Sequence, residues 1–128
     1  MPDRAITNKE FISLVYMTFS GSQPRPLPEL YKSAVNYLNI EEKDIEEKPI
    51  TRIDALKILL DNMGYKEFAK IEGIFNCPIT DLTKEDEGYG AIASGLKLVS
   101  TEDKMFYGDS CLKRADAFIL IYNYMARK

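Results

Sequence analysis

An all-α fold with long irregular connections is what this sequence predicts, on three observations. Three segments carry apolar residues at helical spacing, period-two alternation is nowhere sustained, and one short pattern opens each helical segment. The chain has 128 residues, 45% of them hydrophobic, which is enough for one core and argues against disorder.

The first predicted helix runs from about Asn8 to Phe19, with Phe11, Leu14, Val15, Thr18 and Phe19 on one face. Ser20-Gly21-Ser22 and then Pro24, Pro26 and Pro28 end it. A shorter helical piece is expected over 28–40, gathering Leu30, Ala34, Tyr37 and Leu38 behind a proline suited to a first turn. The charged run "EEKDIEEK" at 41–48 reads as a solvated loop. The second long helix spans about Arg52 to Met63, with Ala55, Ile58, Leu59 and Met63 facing the core and Gly64 as its stop. Residues 83–98 group Tyr89, Ile92, Ala93 and Leu96, although Gly90 and Gly95 weaken that helix in isolation. The third long helix, about Arg114 to Ala126, groups Ala115, Phe118, Ile119 and Tyr122 with Met125 or Ala126. Its middle, "FILIY", is apolar nearly all round and is expected near the centre of the fold.

Composition excludes several functions. A formal net charge of −3 does not suit a duplex nucleic-acid binder, which needs a basic surface. The absence of histidine removes His-based triads, His zinc ligands and His general bases. No carboxylate pair is placed for glycoside hydrolysis, and neither a nucleophile with its base nor a phosphate loop is present. An enzyme is therefore not expected, and no metal or other cofactor is implied. Cys77 and Cys111, 34 positions apart, make no disulfide framework; two buried free thiols is the plain reading, with a single disulfide left open. The N-terminus has no signal-peptide pattern and no apolar run approaches a membrane span. The chain is either cytosolic or an internal piece of a longer exported protein.

The three helix starts align as "AITNKEFISLVYMTF" from Ala5, "PITRIDALKILLDNM" from Pro49 and "CLKRADAFILIYNYM" from Cys111. Their anchors, Thr7, Thr51 and Lys113, lie 44 and 62 positions apart. Thr51 with Asp54, and Thr7 with Glu10, have capping-box spacing, which contributes about 1 kcal/mol to a helix start. Capping does not require Arg52 or Arg114, and both face an unfavourable helix dipole. They read either as surface ion-pair partners or as planar forks for a carboxylate, with the helix N-terminus adding N–H donors.

This order of motifs resembles the S-layer homology family. Ile50-Thr51-Arg52-Ile53-Asp54 and Leu112-Lys113-Arg114-Ala115-Asp116 match the family's signature, Phe106 its upstream aromatic, "IFNCP" at 74–78 its opening, and "YGAIASGLKLVS" its middle segment. The first copy carries Asn8 in place of the arginine, and the third carries Lys113 in place of the threonine, so that cap is lost or passes to Ser110 or Asp109. The resemblance implies a pseudo-repeat with a central three-helix bundle and short helix or loop lobes. It further implies binding of anionic, typically pyruvylated, cell-wall polysaccharide in grooves between repeats, with the signature arginine on the acidic group. The expected ligand-binding set is Arg52, Arg114, Thr51, Asp54, Asp116, Tyr89 and Tyr31, with Tyr37 and Tyr107 as further platforms for sugar rings.

The expectation is one domain over 1–128: a signature helix at 7–20, a second unit over 21–64 and a third over 65–128. It reads as a piece of a longer surface protein, located outside the cell at the wall or S-layer. Cell-wall polysaccharide is the expected partner, together with other regions of that longer protein. Nucleic acid and membrane insertion are not expected. The rival reading is a helical protein–protein module that has lost the sugar site.

Overall fold

A computed structural model describes residues 4–20, 47–71, 77–99 and 105–126. Among these residues the fold is helical, with five helices and no strand. They are α1 (Asn8–Ser20), α2 (Arg52–Asn62), α3 (Lys66–Ala69), α4 (Glu87–Gly95) and α5 (Arg114–Ala126). The three long helices begin where the sequence placed them. The expected helix over 28–40 and most of the charged run at 41–48 lie outside the described residues.

The three short segments in front of α1, α2 and α5 close on one another. Ile6 N–H donates to Leu112 O at 2.9 Å, Leu112 N–H to Ile50 O at 2.8 Å, and Ile50 N–H to Ile6 O at 3.1 Å. A second set surrounds the first: Asn8 N–H to Lys48 O at 2.8 Å, Arg52 N–H to Ser110 O at 2.9 Å, and Arg114 N–H to Arg4 O at 2.9 Å. These bonds satisfy backbone groups that a helix start leaves unpaired. Positions that align in the sequence thus occupy corresponding places in a closed ring. Ile6, Ile50 and Leu112 at its centre are buried.

Local chemistry fixes the helix ends. Thr7 and Glu10 form a complete capping box, Glu10 N–H donating to Thr7 Oγ1 at 3.1 Å and Thr7 N–H to Glu10 Oε1 at 3.2 Å. Thr51 caps α2 through Asp54 N–H at 3.3 Å. The return bond is absent there, as aspartate is one methylene shorter than glutamate. Gly64 (φ +96°) ends α2, with Tyr65 N–H on Leu60 O and Gly64 N–H on Asp61 O. The same closure ends α4, but with Lys97 in the left-handed position at φ +61°.

Packing departs from the predicted faces in three places. On α1 the buried residues are Phe11, Ile12, Ser13, Val15 and Tyr16, so the inner face is turned toward Ile12 and Tyr16. On α2 it is Ile53, Ala55, Leu56, Leu59 and Leu60, with Ile58 and Met63 only partly covered. The largest difference is α5, which buries Ala117, Leu120, Ile121 and Tyr124 and leaves Phe118, Ile119, Tyr122 and Met125 exposed. A helix apolar all round has no periodicity to choose its inner face, so contacts choose it: α5 meets α1, with the Phe19 and Tyr124 rings 4.8 Å apart. Helix α3 was not anticipated, and α4 is shorter than the 83–98 expected. α4 packs on both α2 and α3. Both cysteines are free, but Cys111 is exposed and Cys77 half-buried, rather than both buried.

Candidate functional site

At the fourth position of two of the three ring segments stands an arginine that joins two long helices. Arg52 Nη1 lies 3.4 Å from Asp116 Oδ2, pairing the arginine of α2 with the acid of α5. Arg114 Nη1 lies 3.0 Å from Glu10 Oε2, pairing α5 with α1. The corresponding α1 position is Asn8, and Asp54 on α2 has no ion-pair partner among the described residues. Each of these arginines therefore bridges to an acid on another long helix. Glu10 also receives Arg4 Nη2 at 3.2 Å. Burial alone raises the Glu10 carboxyl, but the Thr7 bonds and the guanidinium groups of Arg114 and Arg4 outweigh it and hold the group below its ordinary range.

Arg52 is the better held of the two arginines. Its Nε–H donates to Phe106 O at 3.0 Å, and its guanidinium carbon sits 5.2 Å from the centre of the Phe106 ring. The segment that supplies Phe106 is pinned by Asp81, whose carboxylate accepts Phe106 N–H at 2.9 Å and Tyr107 N–H at 2.8 Å. Burial raises the Asp81 carboxyl, and the N–H groups of Phe106, Tyr107 and its own backbone more than reverse that. This grip sits beside Tyr107, held at φ +57° with its carbonyl taken by Ser110 N–H at 3.0 Å. Asp81 thereby acts on Arg52 through the backbone of Phe106.

Arg52, Phe106 and Asp116 line a cleft of about 430 Å³. Met105, Tyr107, Leu98, Val99 and Leu112 complete its lining together with Ile119, Leu120 and Asn123 of α5. Asn123 Nδ2 donates to Leu98 O at 3.1 Å, tying α5 to the end of α4. The size is that of a small-ligand pocket, apolar with a few polar groups. Of the five N–H donors of a guanidinium, Arg52 commits Nε–H and one on Nη1, which leaves three. Asp116 in the same wall partly offsets its charge.

The expected ligand set is thus divided. Arg52 and Asp116 meet in the cleft, while Arg114 lies at the junction with α1 instead. Thr51 is occupied as a cap, and Asp54 is exposed. Tyr89 is buried in the core, its hydroxyl donating to Asp61 Oδ1 at 2.6 Å. Burial first, then Asp61, raises its pKa far above the ordinary phenol range. A sugar ring has no open Tyr89 face of the kind expected. Tyr31 and Tyr37 lie outside the described residues. The expectation that the α2 N-terminus offers N–H donors to an anion is corrected: Arg52 and Ile53 N–H go to Ser110 O and Gly108 O, Asp54 N–H to Thr51 Oγ1, and Ala55 N–H to Thr51 O. Asp81 and Asn123 carry no role in the sequence reading. Asn123 had a signal, a lone amide inside an apolar helix; Asp81 had none, since its partners are 25 and 26 positions away.

Among the described residues no group of His, Cys, Asp and Glu is placed to hold a metal ion, and no helix is long and apolar enough to cross a membrane. No protein-family model, curated protein or solved structure matches the chain.

Proposed function

We propose that this chain is a non-catalytic, extracellular anchoring module, built on an S-layer-homology-like pseudo-repeat, that holds an anionic cell-wall polysaccharide in the cleft beside Arg52. The observation that carries this reading is the placement of Arg52: a guanidinium with three spare donors, fixed by Phe106, at a cleft between the second and third units. A carboxylate on a sugar, such as a pyruvyl ketal, takes the remaining edge of the guanidinium. Tyr107, exposed at the cleft side, supplies a ring for stacking, and Asn123 a polar group for hydroxyls. The anion shares Arg52 with Asp116, so the apolar wall and Tyr107 carry much of the binding.

The test is co-sedimentation with purified wall sacculi, before and after chemical removal of the secondary polymer, using wild type, Arg52→Ala, Tyr107→Ala and Asp116→Asn. Binding is expected to need the polymer, to fall at least tenfold in Arg52→Ala, and to rise in Asp116→Asn as the competing carboxylate loses its charge (tenfold being about 1.4 kcal/mol). Equal binding by a folded Arg52→Ala protein would refute the reading. The rival, a helical interaction module without a sugar site, is favoured by the engagement of both signature arginines in ion pairs. It predicts no polymer-dependent binding by any of the four proteins.

A further inference from the structure

Four residues of α5 line the Arg52 cleft: Asp116, Ile119, Leu120 and Asn123. They stand at i, i+3, i+4 and i+7, which puts them on one face of the helix. The cleft therefore runs along α5 for two turns. At about 1.5 Å of rise per residue, Asp116 and Asn123 are about 10 Å apart along the axis. Ile119 and Leu120 fill the interval, so the polar groups of this wall sit at its two ends.

The two ends differ in chemistry. At the Asp116 end, the Arg52 guanidinium has spare N–H donors and no acceptor. At the Asn123 end, Nδ2 donates to Leu98 O at 3.1 Å, which fixes the amide's orientation. Oδ1 is left as an acceptor with no partner among the described residues. Arg52 and Asp116 are the only charged residues in the lining, so the Asn123 end suits an uncharged group. A ligand that uses both ends is elongated. It is anionic at one end, carries a neutral hydrogen-bond donor two helical turns away, and presents apolar surface between.

We propose that the cleft holds two consecutive sugar residues of the polymer, the acidic one on Arg52 and an uncharged one whose hydroxyl donates to Asn123 Oδ1. This rests on the carbohydrate reading above and adds to it a length, a direction and a specificity-determining residue. Two linked rings span a distance like that between Asp116 and Asn123, whereas a single ring reaches one end alone. The C–H faces of the rings lie over Ile119, which is 56% exposed. The acid cannot exchange ends, because Asn123 Oδ1 repels a carboxylate that the Arg52 donors attract.

Two soluble fragments, cut from the wall polymer by mild acid and separated by size, test this as competitors in co-sedimentation with sacculi. One is the acid-bearing sugar alone, the other that sugar with one uncharged neighbour. With wild type, the disaccharide is expected to compete roughly tenfold better, as one hydrogen bond and its surrounding contacts are added. Asn123→Ala is expected to bring the disaccharide down to the monosaccharide's level and to leave the monosaccharide unchanged. Arg52→Ala is expected to weaken both. If Asn123 serves only to tie α5 to Leu98 O, its loss weakens both fragments alike, and the assignment falls. A disaccharide that competes no better than the monosaccharide, or not at all, overturns the proposal and leaves the Arg52 reading to the sacculi result. Equal sacculi binding by Arg52→Ala removes both. Should Asn123→Ala melt early, the comparison of the two fragments on wild type decides.

Discussion

Replacing Gly88 by alanine tests the packing that holds α4 in place. Gly88 lies in the first turn of α4, buried against α3. A Cβ there would stand 2.0 Å from the Ala69 carbonyl oxygen and 2.8 Å from its carbon. Two effects compete. Alanine is a better helix former than glycine by about 1 kcal/mol in a helix interior, less near an end. Against that, the obstruction is backbone, not the end of a flexible side chain, and relief needs a shift of about 1 Å between α3 and α4. Overpacking of this kind costs typically 1–3 kcal/mol and more where backbone must move. The steric effect wins, and a net loss of about 2 kcal/mol is expected. For a chain of this size that lowers Tm by about 8 °C. Gly95, in the same helix, is the control, because a Cβ there meets nothing within 4 Å. Gly95→Ala is expected to be neutral or to stabilise by a few tenths of a kcal/mol. Urea denaturation followed by circular dichroism measures both. A Gly88→Ala protein as stable as Gly95→Ala would refute the close approach of α3 and α4.

Lys97→Gly is expected to stabilise the fold by about 0.5–1 kcal/mol, since Lys97 closes α4 at φ +61° where glycine has no Cβ penalty; a lowered urea midpoint would contradict it. Acidification is expected to destabilise the protein as pH falls below the ordinary values of 4.5 for Glu10 and 3.8 for Asp81. Both carboxyls are held lower in the folded state, so their contribution is complete above those values and is lost as pH drops through the folded ones. Glu10→Gln should flatten this acid limb in a melting-temperature series against pH. At the alkaline end the sign reverses. Tyr89 is raised above its ordinary 10.0 in the fold, so its contribution holds below that value and is lost above it, and Tyr89→Phe should remove that loss.

The sequence alone determined where the three long helices begin, because that information is local. Thr7, Thr51 and Gly64 act on groups within about five residues of themselves, and such chemistry is legible in one strand of text. It also determined that three segments share a pattern, whose corresponding residues Ile6, Ile50 and Leu112 meet in one ring. The cleft was legible only in part. Arg52 stood out because no cap needs it, yet its partners Phe106, Asp116 and, through Phe106, Asp81 are joined only by folding. Tyr89 stands on the apolar face with Ile92, Ala93 and Leu96, which marks a core position, but it also reads as a platform for a sugar ring, and only its burial with the hydroxyl on Asp61 removes the second reading. Which face of α5 turns inward was decided by tertiary structure alone. Its middle is apolar on every side, so periodicity offers no preference, and the contact with α1 sets the outcome.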